Sequence, residues 1–253
     1  LGQSVAAIGD LDADGCDEFA VGAWREDFDD NNQGSLRVVH GWGPGCSEGA
    51  PRASVLVPFQ ANANLGRSMH GGPDVDADGL PDLAVGADNY TVSSSQVGRV
   101  LVLPGQWLSS LPTELLVADQ APTLLLDVNP DEGPWRVDGR VDEEDFGRSV
   151  HLLAGLDGPW GGVVVGGPGG ANTGDINTGG GRVHAYDPSL PGGGISPLPW
   201  LVLGGESWNA GNGLGGSTAG GISGGTPWAA FGGATCDGLG VDGGAVYAID
   251  LSP

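Results

Sequence analysis

The chain of 253 residues has 50 glycines and 18 prolines, and its 32 acidic residues against 9 basic ones, all arginine, give a formal net charge of −23. Collagen is excluded because no Gly-X-Y period persists, and a membrane-spanning helix is excluded because no apolar run of about 18 residues occurs. Abundant glycine argues against a helical bundle. The negative charge excludes nucleic acid and anionic membrane surfaces as partners and favours cations. The composition therefore predicts an all-β protein with glycine in its turns.

Four segments of the chain repeat one pattern. Each has Leu or Phe, then glycine, then serine two residues further on, with the opening glycines at Gly2, Gly66, Gly147 and Gly215. The steps between these glycines are 64, 81 and 68 residues, so the second copy carries an insertion. We expect one domain over residues 1–253, with repeats at 1–64, 65–145, 146–213 and 214–253.

Each repeat is predicted to form short strands, because apolar and β-branched runs alternate with Gly, Asn, Asp and Pro. In the first repeat these runs cover residues 4–8, 18–21, 36–40 and 54–59. The fourth strands of the second and third repeats are expected at 123–128 and 200–203. Four-stranded antiparallel units repeated in this way predict the blades of a β-propeller. The last repeat has no fourth run, so we expect an excerpt of a larger propeller, or a sheet edge that something else covers.

Two acidic loops join the first and second predicted strands of the first two repeats. Both have carboxylates at positions 1, 3, 5 and 9 and a glycine at position 6. With the backbone carbonyl at position 7, they offer the hard oxygen donors that Ca²⁺ prefers, whereas a plain solvated turn is the alternative. The sequence predicts two Ca²⁺ ions and none in the last two repeats. The ligands are Asp10, Asp12, Asp14, Glu18 and the carbonyl of Cys16 in one loop, and Asp74, Asp76, Asp78, Asp82 and the carbonyl of Leu80 in the other.

The opening Leu/Phe-Gly, the Asp-x-Asp-x-Asp-Gly loop and the Val-Gly-Ala at residues 21–23 and 85–87 resemble FG-GAP repeats, as in the β-propeller of integrin α-subunits and in many secreted bacterial proteins. The resemblance covers nearly the whole chain and is most specific in the first two repeats. It implies an extracellular, calcium-stabilised propeller, commonly of seven blades rather than the four present in this sequence.

The resemblance also implies adhesion or assembly more often than catalysis. We expect a non-enzymatic binding, adhesion or assembly module whose partner is a protein or another subunit of an extracellular assembly. A glycan-binding, lectin-like propeller and part of a secreted polysaccharide-acting enzyme are the alternatives. Serine recurs at the same slot in every repeat, which indicates a structural role rather than a nucleophile.

The loops opposite the acidic loops differ most in length, and binding surfaces usually lie on such loops. The insertion at residues 129–145 belongs to this face. Aromatic and arginine side chains are frequent anchors of protein interfaces. The predicted partner-binding residues are Trp24, Arg25, Tyr90, Trp135, Arg136 and Arg140.

Cysteine and histidine add three further hypotheses. Cys16 and Cys46 lie in connections on the same face of the first repeat, so a disulfide between them is predicted, with Cys236 left over. His70 and His151 occupy one register of neighbouring repeats, which makes a transition-metal pair an alternative to a structural role. The other two histidines, His40 and His184, follow or lie on third strands and are interpreted as structural.

Overall fold

The computed structural model describes residues 1–28, 31–41, 45–46, 51–58, 60–116, 125–127, 135–140, 145–157, 160–169, 181–186, 199, 201–204, 215–233 and 244–251. Over these residues the chain is all-β, as predicted, with one short helix. No helix in this described part is long and apolar enough to cross a membrane.

The first repeat forms an antiparallel sheet whose strands pair in chain order. Its strands are β1 (Ser4–Gly9), β2 (Glu18–Gly22), β3 (Leu36–Val39) and β4 (Arg52–Val57). Along β2 the side chains alternate between buried and half-buried, because successive residues of a strand face opposite sides of the sheet. The buried side, which includes Ala20, faces the second repeat.

The second repeat follows the same order, with additional elements between the strands of its sheet. In chain order, all its elements are β5 (Leu65–Gly71), β6 (Leu83–Ala87), β7 (Thr91–Val92), β8 (Ser95–Gln96), β9 (Arg99–Leu103), α1 (Gly105–Ser109), β10 (Glu114–Leu115), β11 (Leu125–Asp127) and β12 (Trp135–Asp138). Strands β5, β6, β9 and β12 form the second sheet, and β7 and β8 form a small hairpin.

The prediction that residues 123–128 form the fourth strand of the second sheet was wrong. Its described part, β11, pairs in parallel with β4 of the first sheet, and β10 pairs with β4 as well. The fourth strand of the second sheet is instead β12, from within the insertion, which pairs antiparallel with β9. The apolar run correctly indicated a strand, but strand propensity does not specify which sheet edge the strand joins.

The last two repeats form two further antiparallel sheets. Their strands are β13 (Ser149–Asp157), β14 (Trp160–Gly167), β15 (Arg182–Tyr186) and β16 (Leu201–Gly204), then β17 (Ser217–Ser223), β18 (Thr226–Gly233) and β19 (Ala245–Asp250). The first hairpin of each is tight, since Asp157 pairs with Trp160 and Ser223 pairs with Thr226. Gly224 and Gly225 supply the two positive φ angles, 59° and 85°, that a two-residue hairpin turn favours. These turns leave no room for a nine-residue acidic loop.

The four sheets pack one on the next through their first strands. β1 lies against β5, β5 against β13, and β13 against β17. An apolar cluster fills each of the three interfaces, built around residues such as Leu36, Val100 and Phe231. This arrangement is consistent with a propeller. Within the described residues the extensive packing joins successive sheets and does not close a ring, so the number of blades stays a prediction.

The recurring serines link each repeat to the next. Their hydroxyls donate to the carbonyl oxygen of the next opening glycine: Ser4 to Gly66 at 2.7 Å, Ser68 to Gly147 at 2.8 Å and Ser149 to Gly215 at 2.9 Å. A glycine at or next to the end of the second strand lies against the same carbonyl, so that a Cβ atom on Gly86 would overlap the carbonyl oxygen of Gly147. The recurring serine and glycine thus form the contacts that join one sheet to the next.

Candidate cation site and the opposite face

The first acidic loop folds around its own carboxylates. Asp10 Oδ2 accepts the N–H of Gly15 at 3.0 Å, and Asp12 Oδ1 accepts the N–H of Asp14 at 3.2 Å. Asp14 Oδ1 accepts the N–H of Cys16 at 2.9 Å. Asp10, Asp12 and Asp14 each present one oxygen to a common point, with these oxygens within 4.8 Å of one another.

The second acidic loop repeats this geometry. Asp74 accepts the N–H of Gly79 at 2.9 Å, and Asp76 accepts that of Asp78 at 3.1 Å. Asp78 accepts the N–H of Leu80 at 2.8 Å, and the three carboxylates converge as in the first loop. The backbones match as well, since position 4 has φ of 59° and 61° and position 6 has φ of 88° and 89° in the two loops. Glycine at position 6 adopts this left-handed conformation without strain.

One carboxylate oxygen in each loop is left without a hydrogen-bond partner although it is buried. These oxygens are Oδ1 of Asp10 and Oδ1 of Asp74, which hold the same position in the two loops. A buried, unpaired carboxylate oxygen is unfavourable, and a bound cation would satisfy it. Three convergent carboxylates and no nitrogen or sulfur donor suit Ca²⁺. The residues present therefore fit the ion that the sequence predicts.

The carboxylates at position 9 fasten the loops to the sheets. Glu18 accepts the N–H of Leu11 at 2.7 Å and of Gly41 at 3.0 Å, and Asp82 accepts those of Val75 and Gly105, each at 2.7 Å. Burial, aided by the charges of nearby aspartates, raises the pKa of Asp82 to about 7 and also raises that of Glu18. Neither residue belongs to the groups of three convergent aspartates. Each oxygen retains a second lone pair, so a ligand role at position 9 stays a prediction.

Sequence reasoning missed the part played by His40. Its Nδ1 lies 3.8 Å from Oδ2 of Asp12 and 3.9 Å from Oε1 of Glu18. His40 directly follows β3, at the end of the sheet where the acidic loop emerges. In the sequence, this position at the end of the third predicted strand was the feature that could have indicated that His40 lies near the acidic loop. The equivalent residue of the second repeat is Pro104, which follows β9.

A disulfide joins Cys16, at position 7 of the first acidic loop, to Cys46, in the connection between β3 and β4. Their Cα atoms are 5.7 Å apart, within the range that an S–S bond spans. The bond fixes the acidic loop to the outer part of its own sheet. Cys236 lies outside the described residues.

The opposite face carries a cluster of arginines around Trp24. The guanidinium carbons of Arg25 and Arg67 each lie 4.0 Å from the Trp24 ring centroid, a cation–π arrangement. Arg67 and Arg148 both approach Asp88, at 3.4 and 3.0 Å. Burial, followed by the charges of Arg148 and Arg25, lowers the pKa of Arg67, while Asp88 and Asp145 oppose this shift. A cavity of about 300 Å³ adjoins this cluster and is lined by Trp24, Arg25 and residues of the chain start.

The other predicted partner residues have different surroundings. Tyr90 lies beneath the guanidinium of Arg99, 3.8 Å from its ring centroid. Trp135 lies on β12 and packs against the core between the second and third sheets. Arg136 and Arg140 are exposed, on β12 and just after it. The insertion therefore contributes a sheet strand, while its residues 129–134 and 141–144 lie outside the described part.

His70 and His151 meet between the second and third sheets, with ring centroids 3.7 Å apart. His70 Nδ1 accepts the N–H of Leu152 at 3.1 Å, and His151 Nε2 is hydrogen-bonded to the carbonyl of Gly220 at 3.0 Å. Burial lowers the pKa of both, that of His70 to about 4 with a contribution from His151. The pair links three successive sheets through one hydrogen bond from each ring, which gives it a structural role.

Comparison with known protein families finds a match over the two segments that contain the acidic loops. The sequence profile of the FG-GAP repeat matches residues 1–39 and 65–103. Each matched stretch holds the first three strands of a sheet together with its acidic loop. The chain contains FG-GAP repeats.

Relatives of these FG-GAP repeats include integrin α-subunits. The chain is 42% identical over 90 residues to integrin alpha pat-2 of Caenorhabditis briggsae, 34% identical over 127 residues to integrin alpha-IIb of Mus musculus, and 35% identical over 105 residues to integrin alpha-10 of Homo sapiens. These alignments cover 34%, 49% and 41% of the chain but only 7%, 11% and 9% of the relatives. The similarity therefore concerns the repeats and not the whole receptors.

Proposed function

We propose that this chain is an extracellular, calcium-stabilised FG-GAP β-propeller module that binds a protein partner and has no catalytic role. Its blades correspond to residues 1–64, 65–145, 146–213 and 214–253. The observation that carries the proposal is the placement of two features at opposite ends of the same strands. Two matching acidic loops lie at one end, and the Trp24–arginine cluster lies at the other.

Two Ca²⁺ ions would be held by Asp10, Asp12 and Asp14 and by Asp74, Asp76 and Asp78, with Glu18, Asp82 and the position-7 carbonyls as further ligands. Bound calcium supplies positive charge that offsets the repulsion among these carboxylates. The loops would then hold the first and second strands of their sheets at a fixed distance. This coupling makes folding depend on the metal.

The opposite face would provide the partner surface. Arg25, Arg67 and Arg148 converge there, in a chain whose formal net charge is −23. Such a group of arginines around an aromatic ring, with Arg25 exposed, suits an acidic side chain of a protein partner, since arginine and tryptophan are enriched at interface anchors. Arg136 and Arg140 would extend the surface, and the integrin α-subunits among the relatives support an adhesion or assembly role in the extracellular space.

The test is a binding experiment with the calcium-loaded chain. Immobilised protein is exposed to cell-surface and matrix proteins of the source organism, and each captured protein is then purified and measured by surface plasmon resonance. We expect the double substitution W24A/R25Q to weaken binding at least tenfold. The control is R52Q, because Arg52 is also exposed but lies on β4 and bonds to Thr113.

Equal affinity of the wild type and W24A/R25Q would refute the partner surface. A glycan array provides the second arm of the experiment. Calcium-dependent binding to a defined glycan, without a protein partner, would favour the lectin-like alternative.

A further inference from the structure

The first acidic loop is accompanied by a group of donors that the second loop lacks. His40 Nδ1 faces Oδ2 of Asp12 and Oε1 of Glu18 at 3.8 and 3.9 Å, and the three donor atoms lie within 4.8 Å of one another. These distances are too long for hydrogen bonds. We propose that Asp12, Glu18 and His40 form a second cation site, which binds Zn²⁺ or a similar divalent transition metal beside the calcium loop.

The burial of the three side chains suits a metal site with an entry path. The side chain of Glu18 is fully buried, that of His40 is 15% exposed and that of Asp12 is 42% exposed. The group is therefore open to solvent on the side of Asp12. The second ring nitrogen of His40, Nε2, is buried without a hydrogen-bond partner. The nitrogen that faces the two carboxylates, and that can bind the metal, is Nδ1.

The donor set distinguishes this group from the three aspartates. One imidazole nitrogen with two carboxylates is a common zinc ligand set, whereas Ca²⁺ takes oxygen donors. With metal–ligand bonds near 2.1 Å, tetrahedral donors lie roughly 3.4 Å apart, so each carboxylate oxygen needs to approach Nδ1 of His40 by about half an ångström. Together with Asp10 and Asp14, these two carboxylates carry four negative charges, which balance one calcium ion and one zinc ion, and water can fill the remaining position.

Asp12 is shared between the two groups. Its Oδ1 accepts the N–H of Asp14 inside the loop, while its Oδ2 faces His40. Asp12 therefore belongs to both groups of convergent donors, and its Oδ2 is the oxygen that faces His40. This geometry predicts that zinc binds while the loop is loaded with calcium.

The surroundings hold the donors in place. Both oxygens of Glu18 are fixed by backbone N–H groups, and the backbone N–H of His40 donates to the carbonyl of Arg52 at 2.9 Å. Such supporting hydrogen bonds orient metal ligands. In the second repeat Pro104 replaces His40 and provides no donor, so we expect one such site per chain.

The experiment is a calorimetric titration with Zn²⁺ after the chain has been saturated with Ca²⁺. Calcium is titrated first, so that failure of the calcium sites is seen separately. We expect the wild type to bind one Zn²⁺ and H40Q to bind it at least tenfold more weakly. H70Q is the matched control, because it removes a histidine from the other histidine cluster and should keep wild-type zinc affinity. The visible absorption of Co²⁺ in place of Zn²⁺ reports nitrogen ligation directly.

Three outcomes would overturn the proposal. The first is unchanged zinc affinity in H40Q, and the second is loss of zinc binding in H70Q, which would assign the metal to the His70–His151 pair. The third is zinc that binds only by displacing a calcium ion, which would mean a single mixed site. Equal calcium binding by the wild type and H40Q shows that the variant is folded.

Discussion

At the scale of single residues, the repeat motif is explained by contacts between neighbouring sheets. Gly86 is the penultimate residue of the second strand of its sheet, and its α-carbon faces the carbonyl of Gly147 in the next repeat. Gly22 and Gly166 face Gly66 and Gly215 in the same way. Glycine is needed at these positions because there is no space for a Cβ atom, and not only for turn formation.

We therefore expect G86A to destabilise the protein by about 2–3 kcal/mol, since the added methyl group forces the sheets apart. G221A is the control, because a Cβ atom there would meet the Trp228 ring at an ordinary 3.4 Å. Urea denaturation followed by tryptophan fluorescence measures both. A midpoint for G86A equal to that of G221A would contradict this account of the motif.

At the scale of elements, the two stacked histidines introduce a dependence on pH. Burial and mutual repulsion lower the pKa of His70 from 6.5 to about 4, so the unfolded chain takes up a proton before the folded chain does. The contribution of this histidine to stability is complete above pH 6.5 and falls as the pH drops towards 4. Asp82, with its raised pKa, acts in the opposite direction.

The variant H70Q isolates the effect of this histidine. Glutamine can still accept the N–H of Leu152 but does not titrate. Between pH 7 and 4.5 we expect the wild type to lose more stability than H70Q, measured as the urea midpoint at constant calcium. Parallel pH profiles of the two proteins would show that the pair is not buried in its neutral form.

Much of the element structure was predictable from the sequence. The strands of the first sheet follow from alternating apolar runs, and the acidic loops follow from carboxylate spacing. The sheet that β11 joins could not be predicted from the sequence, because an apolar run such as residues 123–128 fits any open sheet edge. The edge it joined was set by the path of the chain through α1 and β10. The contacts of His40 could be seen only in the structure, because the two acids that it faces, Asp12 and Glu18, precede it by 28 and 22 residues in the chain.

At the scale of the whole molecule, the two halves differ in their dependence on metal. The first two sheets have acidic loops, whereas in the last two the strands pair up to Asp157–Trp160 and Ser223–Thr226, which leaves two residues for the same connection. Saturating calcium at about 100 times its dissociation constant stabilises a protein by about 2.7 kcal/mol per site. Chelation should therefore weaken the first half of the chain more than the second.

Hydrogen exchange with and without a chelator tests this difference. We expect faster exchange at residues 10–18 and 74–82 after chelation, and no change in the hairpin formed by β17 and β18. The melting temperature should fall as well, and the double substitution D12N/D76N should abolish both responses. A uniform change along the chain, or none, would contradict the proposed calcium sites.

The hydrogen bond from each serine to the next opening glycine also defines how such repeats can be exchanged between proteins. A segment that begins at its own opening glycine supplies the carbonyl that accepts from the serine of the host repeat before it. The recurring serine of the segment itself must then find its acceptor in the host repeat that follows. Ser149, for example, bonds to a carbonyl 66 residues later. A transplanted repeat is therefore compatible with its new neighbours when the host backbone places a carbonyl oxygen at the next opening position, where a positive φ favours glycine. Recombination in evolution and in the laboratory would then be limited by the serine and glycine contacts at each junction, and much less by the loops that carry the binding surface.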